Sequence, residues 1–141
     1  MHAMLLFYGR AYSGTSAPPP PGAFEKIIAA HLAYERDVLR TRATVIVGQA
    51  LAPATAARTV RFTASGNPVE PGPFAVTDEA LGGFYLIECK NLDEAEELAA
   101  LYPMPPGFGS IEVRPVIPFD PALRRQVVGE ENAKEPVHVE L

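Results

Sequence analysis

A histidine and a carboxylate one helical turn apart are the first residues of this chain that could do chemistry together. Between about Ala23 and Arg40 the apolar residues Phe24, Ile27, Ile28, Leu32, Val38 and Leu39 recur at helical spacing, which predicts an amphipathic helix. On a wheel turning about 100° per residue, His31 and Glu35 fall near the middle of its apolar stripe and are its only ionisable members. Burying either group costs several kcal/mol unless it is paired or opens onto a polar cleft. Two readings follow. The two side chains bond each other, or Glu35 reaches water at the helix edge, and the arrangement is structural. Otherwise His31 is a general base and Glu35 orients it.

Tyr8 and Arg10 at the end of the first strand, Tyr85 on a central strand and Arg114 on the last strand are candidates to reach that helix. A histidine base with an arginine or tyrosine to hold an anion suits proton abstraction or elimination from a small acidic or phenolic substrate. The plainer alternatives are core tyrosines with bonded hydroxyls, and Arg114 paired with Glu112 or Glu88 across strands. Cys89 has no activating neighbour in sequence and reads as a small buried hydrophobe. His2 and His138 lie at opposite ends of the chain, so no metal-ligand spacing arises. Gly82-Gly83 and Gly107-Phe108-Gly109 lack the strand-to-helix placement of a phosphate loop, and each is expected to turn the chain into the following strand. Neither a metal nor a cofactor is expected.

The elements that must position these residues are legible in outline. Residues 3 to 8 carry apolar side chains on both faces, Met4, Leu6 and Tyr8 against Leu5 and Phe7, as in a strand covered on two sides. Ser13 to Gly22, with prolines from Pro18 to Pro21, is expected to be an extended, stiff loop. After the first helix, Thr44 to Gln49 and Arg58 to Thr63 read as β-branched strands, with a turn at Ser65-Gly66-Asn67-Pro68. Phe84 to Cys89 reads as a further strand, again apolar on both faces. Asn91-Leu92-Asp93-Glu94 resembles a capping box, and Leu92, Ala95, Leu98, Ala99 and Tyr102 form the stripe of the helix it opens. Ile111 to Val116 supplies the last strand.

That order is close to a ferredoxin-like split βαβ with an extra strand or hairpin between its halves, an α+β fold. Two helices cover one face of such a sheet, yet several strands are apolar on both. A second copy packed sheet against sheet meets that need, so a homodimer is expected. Residues 118 to 141 turn polar and read as a C-terminal extension to a domain spanning 1 to 117, with a short Val137-His138-Val139 run near its end.

The 141 residues suit one domain, and 48% hydrophobic with 21% charged content is that of a globular protein. No apolar run approaches the roughly 18 to 20 residues of a membrane span. Met1 to Tyr8 lacks a basic leader and a cleavage site, so it reads as a strand. A formal net charge of −5 disfavours nucleic-acid binding. One cysteine makes a reducing cytoplasm the expected compartment.

Gly72-Pro73-Phe74-Ala75-Val76-Thr77, then Glu79 and Leu81 to Glu88, resembles the YCII-related proteins, in the branch named for an Asp-Gly-Pro-Phe motif. Leu92-Asp93-Glu94-Ala95, Ala99 and Gly109 to Val116 follow in the family's order, and Met4-Leu5-Leu6, His31 and Gly48 to Leu51 also fit, covering about residues 1 to 117. The resemblance implies a ferredoxin-like fold forming a dimeric α/β barrel and an active site proposed to rest on a His-Asp pair. It also brings a relative that acts as a dehydrochlorinase on a chlorinated hydroxyquinol. The histidine carries over onto His31. The aspartate's position is held by Pro71, with Glu70 one residue earlier. The leading expectation is therefore a lyase or isomerase with His31 as base, Glu35 or Glu70 orienting it, and Tyr8, Arg10, Phe74, Tyr85 and Arg114 as substrate-binding candidates. The rival is a non-catalytic dimeric binding or regulatory module whose loop from Glu70 to Phe74 closes over a ligand.

Overall fold

Strand β1 (His2–Gly9) sets the two sides of the molecule. Ala3, Leu5 and Phe7 are buried while Met4, Leu6 and Tyr8 remain partly exposed, the period-two alternation of a strand with one sealed face. The computed structural model describes residues 1–14 and 20–132. Residues 15–19, with Pro18 and Pro19 of the proline-rich loop, and residues 133–141, with Val137, His138 and Val139, lie outside the described residues.

The remaining strands are β2 (Thr44–Ala50), β3 (Arg58–Val60), β4 (Val69–Pro71), β5 (Ala80–Glu88) and β6 (Gly109–Pro115). Four of them form an antiparallel sheet in the order β2-β5-β1-β6, and β3 and β4 make a separate two-stranded ribbon. Because β5 runs antiparallel to both β1 and β2, those two strands are parallel to each other with β5 between them. The connection through helix α1 (Ala23–Tyr34) is thus a crossover that skips one strand, and the one from β5 to β6 through helix α3 (Leu92–Ala100) skips β1 in the same way. The protein is an α+β fold built on an antiparallel sheet, and the sheet is open, not a closed barrel.

Helix α3 forms where its capping signal lies. Asn91 Oδ1 accepts from the Glu94 amide at 2.9 Å, and the Glu94 carboxylate accepts from the Lys90 amide at 2.7 Å, one residue earlier than the usual box. It buries Ala95, Leu98 and Ala99 against Leu5, Phe7 and Ile87, which with Tyr34, Leu39, Val45, Tyr85 and Cys89 make the core. Cys89 is a buried free thiol, in keeping with its reading as a small core residue.

Three differences from the sequence expectation matter for the site. The first helix does not run unbroken to Arg40: α1 ends at Tyr34, a π-helical turn spans Glu35–Leu39, and a last helical turn, α2, covers Arg40–Arg42. A π turn brings residues five apart together, and Glu35 and Arg40 take that opportunity as an ion pair at 2.6 Å. Second, Gly82 and Gly83 do not turn the chain but lie inside β5. Phe7 pairs with Gly83 and Tyr8 with Leu81, which leaves Gly82 as a bulge. Third, β3 stops at Val60 instead of Thr63, because Thr63 is engaged by the turn, its hydroxyl donating to the Gly66 carbonyl at 2.6 Å. The extension holds an exposed helix α4 (Pro121–Val128), started by Asp120 accepting from the Ala122 amide with Pro121 in the first turn.

On the face away from the core, Met4, Leu6 and Tyr8 meet Leu86, Phe84 and Leu81 of β5 on one side and Arg114, Glu112 and Ser110 of β6 on the other. Residues directly opposite in an antiparallel pair share a face, so these side chains make one half-exposed, largely apolar surface.

Candidate functional site

The aromatic side chains on the sealed side of the sheet converge on His31. Phe7 stands at the centre, 1% exposed, with its ring edge-on to His31 at 5.1 Å between centroids. From α1 come His31 and, three residues on, Tyr34, which lie on one face because residues three apart are neighbours on a helix. Tyr34 is buried and its hydroxyl donates to the Leu98 carbonyl at 2.6 Å, tying α1 to α3. Tyr85 of β5 donates its hydroxyl to the His31 carbonyl at 3.3 Å. Gly48 makes room for it: a Cβ there would fall inside the Tyr85 ring.

Two further tyrosines reach the imidazole itself. The hydroxyl of Tyr102, which follows the C-terminus of α3, lies 3.0 Å from His31 Nε2, and the Tyr102 ring is tilted against the imidazole at 4.9 Å. The Tyr12 hydroxyl lies 3.4 Å from the same nitrogen. A 3-10 turn at Arg10–Tyr12, closed by Ser13 donating its hydroxyl to the Arg10 carbonyl at 2.8 Å, carries Tyr12 back over the sheet. The bulge at Gly82 provides the space, since any side chain there would collide with the Tyr12 ring.

Burial governs the electrostatics. It lowers the His31 pKa, favouring the neutral imidazole. It raises the phenol of Tyr102 to about 12, with the neighbouring Tyr12 adding to the shift, and raises Tyr12 as well. Tyr85 is raised by burial first and by the nearby Glu35 charge second. Burial thus favours an uncharged imidazole among uncharged phenols, and two phenolic hydroxyls meet at one ring nitrogen. Such a group can pass a proton without first building an isolated buried charge.

The residues expected from the sequence divide accordingly. His31 and Tyr85 come together. Glu35 sits one turn along from His31 and beside Tyr85, but its carboxylate is held by Arg40. Glu70 lies in the β3–β4 ribbon, paired with Arg61 at 3.0 Å, and Arg61 also donates to the Phe74 carbonyl at 2.7 Å while the Phe74 ring is 75% exposed. Tyr8 and Arg114 lie on the opposite face of the sheet from Phe7 and His31, and Arg114 pairs with Glu112, one of the two carboxylates the sequence offers it. Arg10 opens the 3-10 turn, its amide donating to the Phe108 carbonyl at 3.1 Å. Sequence reasoning placed Tyr102 only in an apolar stripe and passed over Tyr12. The available signal was a glycine inside a strand, which marks close approach by another group.

Residues 1–120 match a family model described as the YCII-related domain. An uncharacterized protein of Rhizobium meliloti (strain 1021) is 50% identical over 72 residues, which are 50% of this chain and 58% of that protein. The chain thus spans less than two thirds of the length of the curated relative it matches. Among the described residues, no helix is long and apolar enough to cross a membrane.

Proposed function

The chain belongs to the YCII-related domain family, and from that premise we propose that it is a dimeric small-molecule protein whose acid–base site is His31. The strand order β2-β5-β1-β6 with two strand-skipping crossovers supports a ferredoxin-like domain over residues 1 to 117, with the β3–β4 ribbon as the inserted hairpin. The extension from 118 to 141 follows it. The half-exposed face carrying Met4, Leu6, Phe84 and Leu86 is the surface that a second copy covers to form a dimeric α/β barrel. A wild-type protein that sediments as a monomer would remove that part.

The reaction is proton abstraction of the lyase or isomerase kind from a small phenolic or acidic molecule, with His31 as base. The observation that carries it is the convergence of two tyrosyl hydroxyls on Nε2 of a half-buried imidazole whose pKa burial lowers. Glu35 and Glu70 are engaged by Arg40 and Arg61, and it is the hydroxyls of Tyr12 and Tyr102 that lie within reach of the imidazole. Those same engagements, with Pro71 at the position of the family aspartate, favour the second reading of a non-catalytic ligand-binding module.

A thermal-shift screen with small phenols and carboxylic acids tests the shared premise of a ligand at His31. A ligand at ten times its Kd adds about 1.4 kcal/mol of stability, so it raises the melting temperature of the wild type. The rise is expected to shrink in His31→Gln. A hit that stabilises His31→Gln equally well would place the ligand elsewhere and end the proposal. A hit that binds through His31 and is never turned over selects the binding module.

A further inference from the structure

The imidazole of His31 is capped by its phenols, which raises the question of where a ligand meets the network. Tyr102 answers it by its position. The residue bonds His31 Nε2 and also lines a groove of about 420 Å³ between α3 and β6, the outermost strand on that side, together with Ala99, Met104, Gly109, Ile111 and Val113. Among the lining residues Tyr102 is the one that bonds His31. Small-molecule sites combine apolar walls with a few placed polar groups, and this open groove presents both.

The charge of the groove narrows the ligand. Glu96, Ala100 and Ser110 complete its lining among the described residues, and neither lysine nor arginine is among them. A carboxylate there would face Glu96 with no cation to offset the repulsion. A neutral hydroxylated ring would pack on Ala99, Ile111 and Val113 and bond the Tyr102 hydroxyl.

Resting on the acid–base reading of His31, we propose that Tyr102 is the residue that touches the ligand, a small uncharged phenol-like molecule in the α3–β6 groove, and relays protons between it and His31. As Tyr102 Oη takes a proton from the ligand, the hydroxyl proton of Tyr102 passes to His31 Nε2. One ligand–H bond and one tyrosyl O–H bond break, and a new tyrosyl O–H and an Nε2–H form. The ligand is left as the anion and His31 as the cation, and the reverse transfer returns the proton to the ligand. No tyrosinate accumulates, and no oxidant or other co-reactant is required.

Phenol itself is the probe, titrated into isotopically labelled wild type and Tyr102→Phe while NMR follows the backbone amides of Gly109, Ile111 and Val113 and the ring of His31. In the wild type the groove amides and the His31 ring should respond together with one apparent affinity. In Tyr102→Phe the groove amides should still respond, with binding weakened by about two- to tenfold for the lost hydrogen bond, and the His31 ring should fall silent. Benzoate should leave the groove amides unmoved.

A His31 ring that responds equally in Tyr102→Phe overturns the relay while leaving His31 as a ligand site. Wild-type groove amides that ignore phenol overturn the groove, a result that needs no variant. A His31 ring silent in the wild type takes the underlying reading with it. Benzoate bound as tightly as phenol overturns the choice of an uncharged ligand.

Discussion

Phe7→Ala should lower the unfolding free energy by about 3–5 kcal/mol, the usual cost of emptying a buried aromatic site. Phe7 is 1% exposed and its ring lies edge-on to those of His31, Tyr34, Tyr85 and Tyr102, at 5.1, 6.4, 5.8 and 4.9 Å between centroids. Edge-to-face pairs contribute about 0.5–1.5 kcal/mol each beyond the area they bury, so the cavity loses specific contacts as well as volume. The same change frees the imidazole on one side, which couples this core residue to the site. Ile87→Ala is the control. Ile87 is fully buried between Ala3 of β1 and Val45 of β2 in register, and its loss should cost about 2–5 kcal/mol while leaving the His31 titration as it was. Urea unfolding of both variants, with the His31 ring followed by NMR, checks the pair. Equal disturbance of His31 by both variants would mean that Phe7 has no special part in holding the site.

His31→Gln should lower kcat/KM by about 10²–10⁴ on any phenol that the wild type turns over, the range that a positioned acid or base supplies. Glutamine keeps a polar side chain near Tyr102 and Tyr12 but cannot take up a proton at neutral pH. Binding should weaken far less than turnover, because the groove lined by Ala99, Ile111 and Val113 is untouched. A variant as active as the wild type would show that the reaction, whatever its substrate, does not pass through His31. Steady-state kinetics that separate kcat from KM decide it, since loss of a group acting in the chemical step appears in kcat.

Much of the scaffold was legible because it is written locally. The existence of strand β1, the Asn91–Glu94 cap and the Leu92-to-Ala99 stripe each depend on neighbours within a few positions, and the structure carries all three. His31 was legible for the same reason, as an ionisable residue on an apolar helical stripe. Its partners were not. A wheel with one fixed period pairs His31 with Glu35, but the π turn beginning at Glu35 gives that carboxylate to Arg40 through a contact five residues on. Tyr12 and Tyr102 reach Nε2 from 19 and 71 positions away, through a 3-10 turn and a helix end that no periodicity announces. Tyr8 and Arg114 show the converse. Alternation places Tyr8 opposite to Phe7, yet which face receives the helices is decided by long-range packing, and the helices chose the side of Phe7.

A neutral His31 at the meeting point of two phenols is the centre of this picture, and titrating its ring nitrogens by NMR tests it most directly. Burial holds the folded pKa below the ordinary value of about 6.5, so the unfolded chain takes up the proton first as the pH falls. The corresponding stability is fully present above about pH 6.5 and drains away as the pH drops towards the folded value, a loss that His31→Gln should not share. The expected result is a ring that titrates with a midpoint clearly below 6.5 and is neutral at pH 7. A midpoint at or above 6.5 would contradict the lowering by burial, and one above 7 would mean that an imidazolium faces Tyr12 and Tyr102 at neutral pH, so that His31 would not be the resting base of this site.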